Sequence, residues 1–149
     1  MFTGVYQHQI DAKGRTSLPS AFRDVLAGQG TDKLFVTTDI FGDFLLAFAP
    51  EQWNAFMEKI YALPQFDDQT RALVRTVVSP AQECPFDKLG RILLPPPLRE
   101  HAGLSEQVTW AGSGRRIEIW SPPGWARAQA EARTPESKAA LKRELGRLL

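Results

Sequence analysis

Chemically versatile side chains are scarce in this chain. There is one cysteine, Cys84, so an internal disulfide and a cysteine-built metal site are both excluded. Cys84 is followed by Pro85 and Phe86, and a lone cysteine in apolar surroundings is read as inert. The two histidines, His8 and His101, stand far apart and in no metal-ligand spacing. No run of about 18 apolar residues is present to span a bilayer. The opening segment, MFTGVYQHQIDAKGR, has no basic region followed by an apolar stretch, so a signal peptide is not expected and the chain reads as cytoplasmic. Neither sign of charge is in excess: the net charge is +1 over 149 residues. Residues 1–76 carry 7 basic and 9 acidic side chains, a balance of −2, and residues 77–149 carry 11 and 8, a balance of +3. Bulk charge therefore specifies no partner, and any anion recognition must come from local placement or from several copies of the chain acting together.

Catalytic constellations are lacking too. No serine lies in a G-x-S-x-G elbow. Gly112-Ser-Gly114 has neither the length nor the lysine of a phosphate-binding loop and fits a hairpin turn better. The carboxylate pair Asp67-Asp68 suits a helix cap. An enzyme, a cofactor, a metal and a small-molecule substrate are thus not expected.

What the chain does have is a long motif written twice. Asp11-Ala-Lys-Gly-Arg-Thr-Ser-Leu-Pro-Ser-Ala-Phe-Arg23 returns as Asp87-Lys-Leu-Gly-Arg-Ile-Leu-Leu-Pro-Pro-Pro-Leu-Arg99, an offset of 76 positions. Both copies read D-x-x-G-R-x-x-L-P-x-x-[FL]-R. Phe48-Ala-Pro50 with Trp53 returns as Trp120-Ser-Pro122 with Trp125, at an offset of 72. The duplication therefore covers far more than one turn. Two units are too few for a solenoid or propeller. A half of about 75 residues would bury little alone, so two like halves sharing one core are expected. The expected division is 1–76, 77–133 and a C-terminal segment 134–149.

Each half follows one script. Gly4–Ile10 reads as a short strand with Tyr6, His8 and Ile10 on one side. Asp11–Gly14 is turn chemistry, since Asp bonds its own downstream backbone and Gly accepts positive φ. Arg15–Leu18 is a second strand, stopped by Pro19. Ser20 is expected to cap a helix over Ala21–Ala27, with Gly28 as its stop. Leu34–Thr38 and Phe44–Phe48 predict a hairpin around Phe41-Gly42-Asp43. Pro50 opens a helix bearing Trp53, Phe56, Met57 and Ile60 and ending before Pro64, and another helix is expected over Asp68–Val78 with Asp67 or Asp68 as cap. The second half repeats the turn at Asp87–Gly90, a strand at Arg91–Leu94, a helix at Pro97–His101 stopped near Gly103, and a hairpin of Val108–Ala111 with Arg116–Trp120. Ser121-Pro122 then starts a helix containing Trp125. Pro135–Leu149 forms a helix with a stripe of Leu141, Leu145, Leu148 and Leu149 among Lys138, Lys142, Arg143 and Arg147, a packing face either within the chain or between copies.

Arg15 and Arg91 leave a tight turn directly after its glycine. A guanidinium held there presents a planar fork of donors able to grip a phosphate or the O6/N7 edge of guanine. Asp11 and Asp87 orient that arginine or simply pair with it to hold the turn; the spacing permits both. Arg23 and Arg99, one helical turn past the Leu-Pro step, read as forming salt bridges to carboxylates across the rim of the shared core, with nucleic-acid contact as the alternative. Leu18, Leu94, Phe22 and Leu98 read as core, as do Trp53, Trp120 and Trp125.

The paired D-x-x-G-R-x-x-L-P-x-x-[FL]-R segments, the opening Gly4, His8 and Asp11, and the strand Glu118-Ile-Trp120 leading to Trp125 closely resemble the MraZ family. The resemblance runs from Phe2 to about Trp125 and is weakest in the tail. It implies an α+β, β-rich fold of two tandem AbrB-like units, a swapped-hairpin barrel in one chain with flanking helices. It also implies a nucleoid-associated bacterial transcriptional regulator that binds double-stranded DNA, at direct repeats in the promoter of its own division and cell-wall gene cluster, as a ring-like homo-oligomer. On that reading Arg15 and Arg91, with Lys13 and Lys88 beside them, contact DNA, while Asp11, Gly14, Asp87 and Gly90 support the turns. Thr3 stands where the family often has a basic residue, and Pro95-Pro96-Pro97 stiffens the second unit. The alternative is a protein-interaction module on the same fold, an antidote-type partner or an assembly scaffold. Such proteins usually carry a disordered partner-binding tail, whereas the tail here reads as helix.

Overall fold

A computed structural model describes all 149 residues. In the first half, strands β1 (Val5–Gln9) and β2 (Arg15–Ser17) precede helix α1 (Ser20–Gly28). Strands β3 (Lys33–Thr38) and β4 (Leu45–Phe48) then lead to α2 (Pro50–Tyr61) and α3 (Asp68–Leu73). The second half begins with β5 (Gln82–Pro85), β6 (Arg91–Leu93) and α4 (Pro96–Ala102). It ends with β7 (Gln107–Gly112), β8 (Ile117–Trp120), α5 (Pro122–Ala132) and α6 (Pro135–Leu148). The architecture is α+β with two antiparallel sheets.

The larger sheet has the order β1-β7-β8-β4-β3-β5. Its arrangement follows from the duplication, because each half gives its first strand to the other half's hairpin. β1 pairs with β7, from Val5 opposite Ala111 to Gln9 opposite Gln107. β5 likewise pairs with β3, from Lys33 opposite Pro85 to Val36 opposite Gln82. The two hairpins meet where β4 pairs with β8. The second strands, β2 and β6, pair only with each other. One cluster of 19 buried apolar residues, including Phe22, Leu26, Leu34, Val36, Leu98, Val108 and Trp110, draws on both halves. The main core is thus shared, while a smaller cluster of Phe48, Trp53, Met57 and Ile60 lies within the first half.

Side chains account for most element boundaries. Ser121 Oγ accepts from the Gly124 N–H at 3.1 Å and starts α5, and Thr134 Oγ1 accepts from the Ser137 N–H at 3.3 Å and starts α6. Ser20 does not cap α1: the N-cap is Pro19, Ser20 is already helical, and Gly28 is the last helical residue instead of a stop beyond it. Asp67 precedes α3 without a side-chain cap bond. The helix expected over Asp68–Val78 changes character at Val74, where Val74–Val78 winds as a π-helical turn. That turn is held from the sheet. The hydroxyls of Thr37 and Thr38 on β3 donate to the carbonyls of Val77 and Thr76, at 2.5 and 2.6 Å. α4 extends one residue further at each end than expected and is capped by Gly103.

The duplicated aromatic pairs pack alike. Trp53 of α2 stacks on Phe35 (5.4 Å between centroids, 4° between planes) and meets Phe48 edge-on. Trp125 of α5 meets Trp120 edge-on at 5.8 Å, and Trp120 stacks on Phe44 at 4.1 Å. Cys84 lies buried on β5, and burial together with the neighbouring Glu83 pushes its thiol pKa up to about 11, which leaves it protonated and unreactive at neutral pH. No helix is long and apolar enough to cross a membrane. The leucine stripe of α6 packs on nothing within the chain: no residue of that helix is buried, and Leu141, Leu145, Leu148 and Leu149 are all more than half exposed.

Candidate nucleic-acid interface

The two D-x-x-G-R turns fold identically. Asp11 Oδ1 accepts from the N–H groups of Lys13 (3.0 Å) and Arg15 (2.9 Å), while its Oδ2 accepts from Arg15 Nε at 2.8 Å. Asp87 Oδ1 accepts from Leu89 (2.9 Å) and Arg91 (3.0 Å), and its Oδ2 accepts from Arg91 Nε at 3.0 Å. The main chain closes each loop. Asp11 N–H donates to the Arg15 carbonyl and Gly14 N–H to the Asp11 carbonyl, both at 2.9 Å, and the same pair of bonds recurs at Asp87, Arg91 and Gly90. Gly14 and Gly90 are buried with φ of +92° and +75°, a left-handed conformation that disfavours any side chain. Aspartate thus does both things the spacing allowed: it fixes the turn, and it orients the arginine through one nitrogen only. Nε is consumed, and the terminal nitrogens of each guanidinium remain for a ligand.

Those two arginines face the same way. In the β2–β6 ladder Arg15 lies opposite Leu93, Thr16 opposite Ile92 and Ser17 opposite Arg91. Thr16 and Ile92 are buried, so alternation places Arg15, Ser17, Arg91 and Leu93 on the outer face, with the two arginines as diagonal neighbours. Thr16 is fixed by its hydroxyl, which donates to the Gln9 carbonyl at 2.8 Å. His8 Nδ1–H donates to the Ser17 carbonyl at 2.5 Å, tying β1 to the same ribbon. Arg15, Arg91, Asp87 and Leu93 line a shallow depression of about 290 Å³. Pairing spans the two turns as well: Leu18 N–H donates to the Gly90 carbonyl and Leu94 N–H to the Gly14 carbonyl, each at 2.8 Å. The Leu-Pro half of each motif therefore grips the Gly-Arg half of the other copy.

The copies are not equivalent in chemistry. Lys13 and Lys88 are both exposed at the turn tips, but Lys88 corresponds to Ala12, and Lys13 corresponds to Leu89. Ser17 corresponds to Leu93. The second turn consequently carries two exposed leucines, Leu89 and Leu93, where the first carries a lysine and a serine. Arg23 and Arg99 form no salt bridge, contrary to the sequence reading; their Nε atoms are buried without any hydrogen-bond partner. Their neighbours come from the opposite motif, a placement that linear spacing does not reveal. One element was missed in the sequence altogether, the strand β5, and the particular partner that each first strand takes in the other half is not legible in the residues themselves. β5 is four residues of mixed polarity, Gln-Glu-Cys-Pro, with no alternation to mark it.

Both aspartates are held below the usual carboxylate range, chiefly by the backbone N–H of the arginine four residues on, with the guanidinium adding to the effect. A lowered folded-state value means that the turn bonds contribute fully above the ordinary aspartate pKa and are lost as pH falls through the lowered one. Carboxyl-carbon titration by NMR should show Asp11 and Asp87 with midpoints below that of an unstructured aspartate. Midpoints at or above the ordinary value would contradict the turn geometry. No group of three or more His, Cys, Asp or Glu comes together to hold a metal.

Comparison with known proteins agrees with the tandem repeat of two units. The family model described as "MraZ protein, putative antitoxin-like" matches twice, over residues 1–76 and 77–148. The Transcriptional regulator MraZ of Marinomonas sp. (strain MWYL1) is 44% identical over 125 residues, 84% of this chain and 83% of that protein. The protein of the same name from Heliobacterium modesticaldum is 40% identical over 142 residues, 95% of this chain and 96% of its own length. That of Thioalkalivibrio sulfidiphilus is 38% identical over 140 residues, 94% and 93% of the two chains. With two matched units that together span nearly its whole length, the chain belongs to the MraZ family.

Proposed function

We propose that this protein is a sequence-specific, DNA-binding transcriptional regulator that reads double-stranded DNA through the outer face of the β2–β6 ribbon. The observation that carries this is the pair of arginines, Arg15 and Arg91, each anchored by one nitrogen to its aspartate and free at its terminal nitrogens on one shared face. Lys13 and Lys88 add exposed cations at the turn tips, positioned for phosphates. The printed names of the relatives, Transcriptional regulator MraZ, support the same reading. The exchanged first strands support a swapped-hairpin barrel of two AbrB-like units, bounded at 1–76 and 77–133, with 134–149 as a separate amphipathic helix.

A single chain with two arginine-bearing turns and a net charge of +1 is a weak DNA ligand. A ring-like homo-oligomer on direct repeats removes the difficulty, because linked sites raise avidity by roughly 10²–10⁴ when they engage together. The target is a set of direct repeats in the promoter of the protein's own division and cell-wall gene cluster, and the protein works in the cytoplasm at the nucleoid. The test is a binding titration on DNA from upstream of its own gene and on a shuffled fragment of equal composition, with light scattering on the free protein. The reading expects a large oligomer and at least about 10³-fold preference for the native fragment. A monomer that binds both fragments equally would refute it.

A further inference from the structure

Arg23 and Arg99 pose a physical problem. Each is half-buried, each has a buried Nε with no acceptor, and neither meets a carboxylate. An unmet buried donor on a cation is costly, and the cost is present twice, at equivalent positions. The surroundings show what the side chains do there. Arg99 Nε and Cζ lie 2.7 and 2.8 Å from where a Cβ on Gly14 would stand, and Arg23 Cδ and Cζ lie 2.6 and 2.7 Å from the equivalent point on Gly90. Each guanidinium therefore fills the side-chain space of the glycine in the opposite turn. The terminal nitrogens form no hydrogen bond within the chain and are not sealed from water, so they reach solvent at the edge of the turn. A planar group can lie flat on a glycine peptide, whereas the ammonium of lysine cannot.

We propose that Arg99 and Arg23 are positioning residues that act across the two halves: Arg99 sets the turn that presents Arg15, and Arg23 sets the turn that presents Arg91. The backbone bonds run the same way, Leu94 N–H to the Gly14 carbonyl and Leu18 N–H to the Gly90 carbonyl, so each turn is held in one place by a Leu and an Arg of the opposite motif. Each DNA-facing turn consequently depends on the opposite motif for its placement. This accounts for the length of the repeated motif: its first part makes a turn and its last part holds the other turn. The inference rests on the DNA-binding reading for its consequence, but the positioning itself can be measured without DNA.

Two measurements test it on the full-length protein. In the first, hydrogen exchange is followed in the peptides covering Asp11–Arg15 and Asp87–Arg91. Arg99→Met, which keeps the apolar stem and removes the fork, should speed exchange in the first peptide only, and Arg23→Met in the second only. Arg99→Lys keeps the charge but should behave like Arg99→Met. Exchange that rises in the turn of the same motif, rises nowhere, or is restored by lysine overturns the proposal. In the second, DNA affinities are combined in double-mutant cycles. Arg99→Met should couple with Arg15→Ala by at least about threefold and be additive with Arg91→Ala, and Arg23→Met should show the reverse. Coupling within one motif, or none, overturns the proposal. If the wild type fails to bind DNA, the functional reading falls, and the exchange experiment still decides the positioning.

Discussion

Gly14→Ala is expected to destabilise the protein by roughly 2–5 kcal/mol, through backbone strain at positive φ and forced displacement of its neighbours. A Cβ at this position would stand 2.7 Å from the Leu94 carbonyl oxygen and 2.7 Å from Arg99 Nε. The arginine can swing away, but the carbonyl belongs to the strand end that accepts no such shift without losing the Leu94 N–H to Gly14 carbonyl bond. The damage therefore reaches the second half, although the substitution lies in the first. Gly90→Ala should also destabilise but by less, since at φ of +75° its Cβ is strained while its three nearest neighbours all belong to the Arg23 side chain, which can swing away. Gly28→Ala is the internal control. It closes α1 with ordinary φ and nothing within 4 Å of the added carbon, so alanine there should be neutral or stabilising by about 0.4–1 kcal/mol. Urea denaturation measures all three. A Gly14→Ala protein as stable as the Gly28→Ala protein would contradict the crossed packing of the turns.

The second large effect is expected at Phe22. This ring is 1% exposed and meets Phe2 and Tyr6 edge-on at 5.5 and 5.4 Å. Phe22→Ala should cost about 3–5 kcal/mol, and Leu98→Ala at the equivalent position about 2–5 kcal/mol. Because both side chains belong to the same buried cluster, either truncation should lower one common transition. Tryptophan fluorescence and far-UV circular dichroism should shift together in denaturant, with no separate melting of a half. Two resolved transitions in the Phe22→Ala protein would show that the halves hold separate cores.

Much of this was legible in the sequence because the duplication made each reading a double one. Asp-x-x-Gly-Arg specifies a turn through short-range chemistry alone, a side-chain acceptor and a residue that tolerates positive φ, so local reasoning suffices. Pro50, Ser121 and Thr134 mark helix starts for the same reason. Long-range pairing is different in kind. Nothing in Val5–Gln9 says that its partner is Gln107–Ala111 and not the nearest hairpin, since the alternation fits either. Arg23 and Arg99 lie on their helices as expected, but the salt bridges expected of them are absent, because each guanidinium lies against the glycine of the opposite turn, which linear spacing does not reveal. The π-helical turn at Val74–Val78 is likewise a tertiary effect, since its carbonyls are met by threonines of β3 about 40 residues away. The leucine stripe of α6 was visible as a pattern, but no residue of that helix is buried within the chain.

The central claim, that the paired turns bind DNA through Arg15 and Arg91, is tested most directly by the salt dependence of binding to the upstream fragment. Plots of log affinity against log salt concentration should be linear for the wild type. In the Arg15→Ala/Arg91→Ala protein the line should fall far below the wild type and flatten by about 0.9 for each phosphate that is no longer neutralised, with the thermal unfolding and the oligomer size unchanged. A folded double variant whose line superimposes on the wild type would contradict the account.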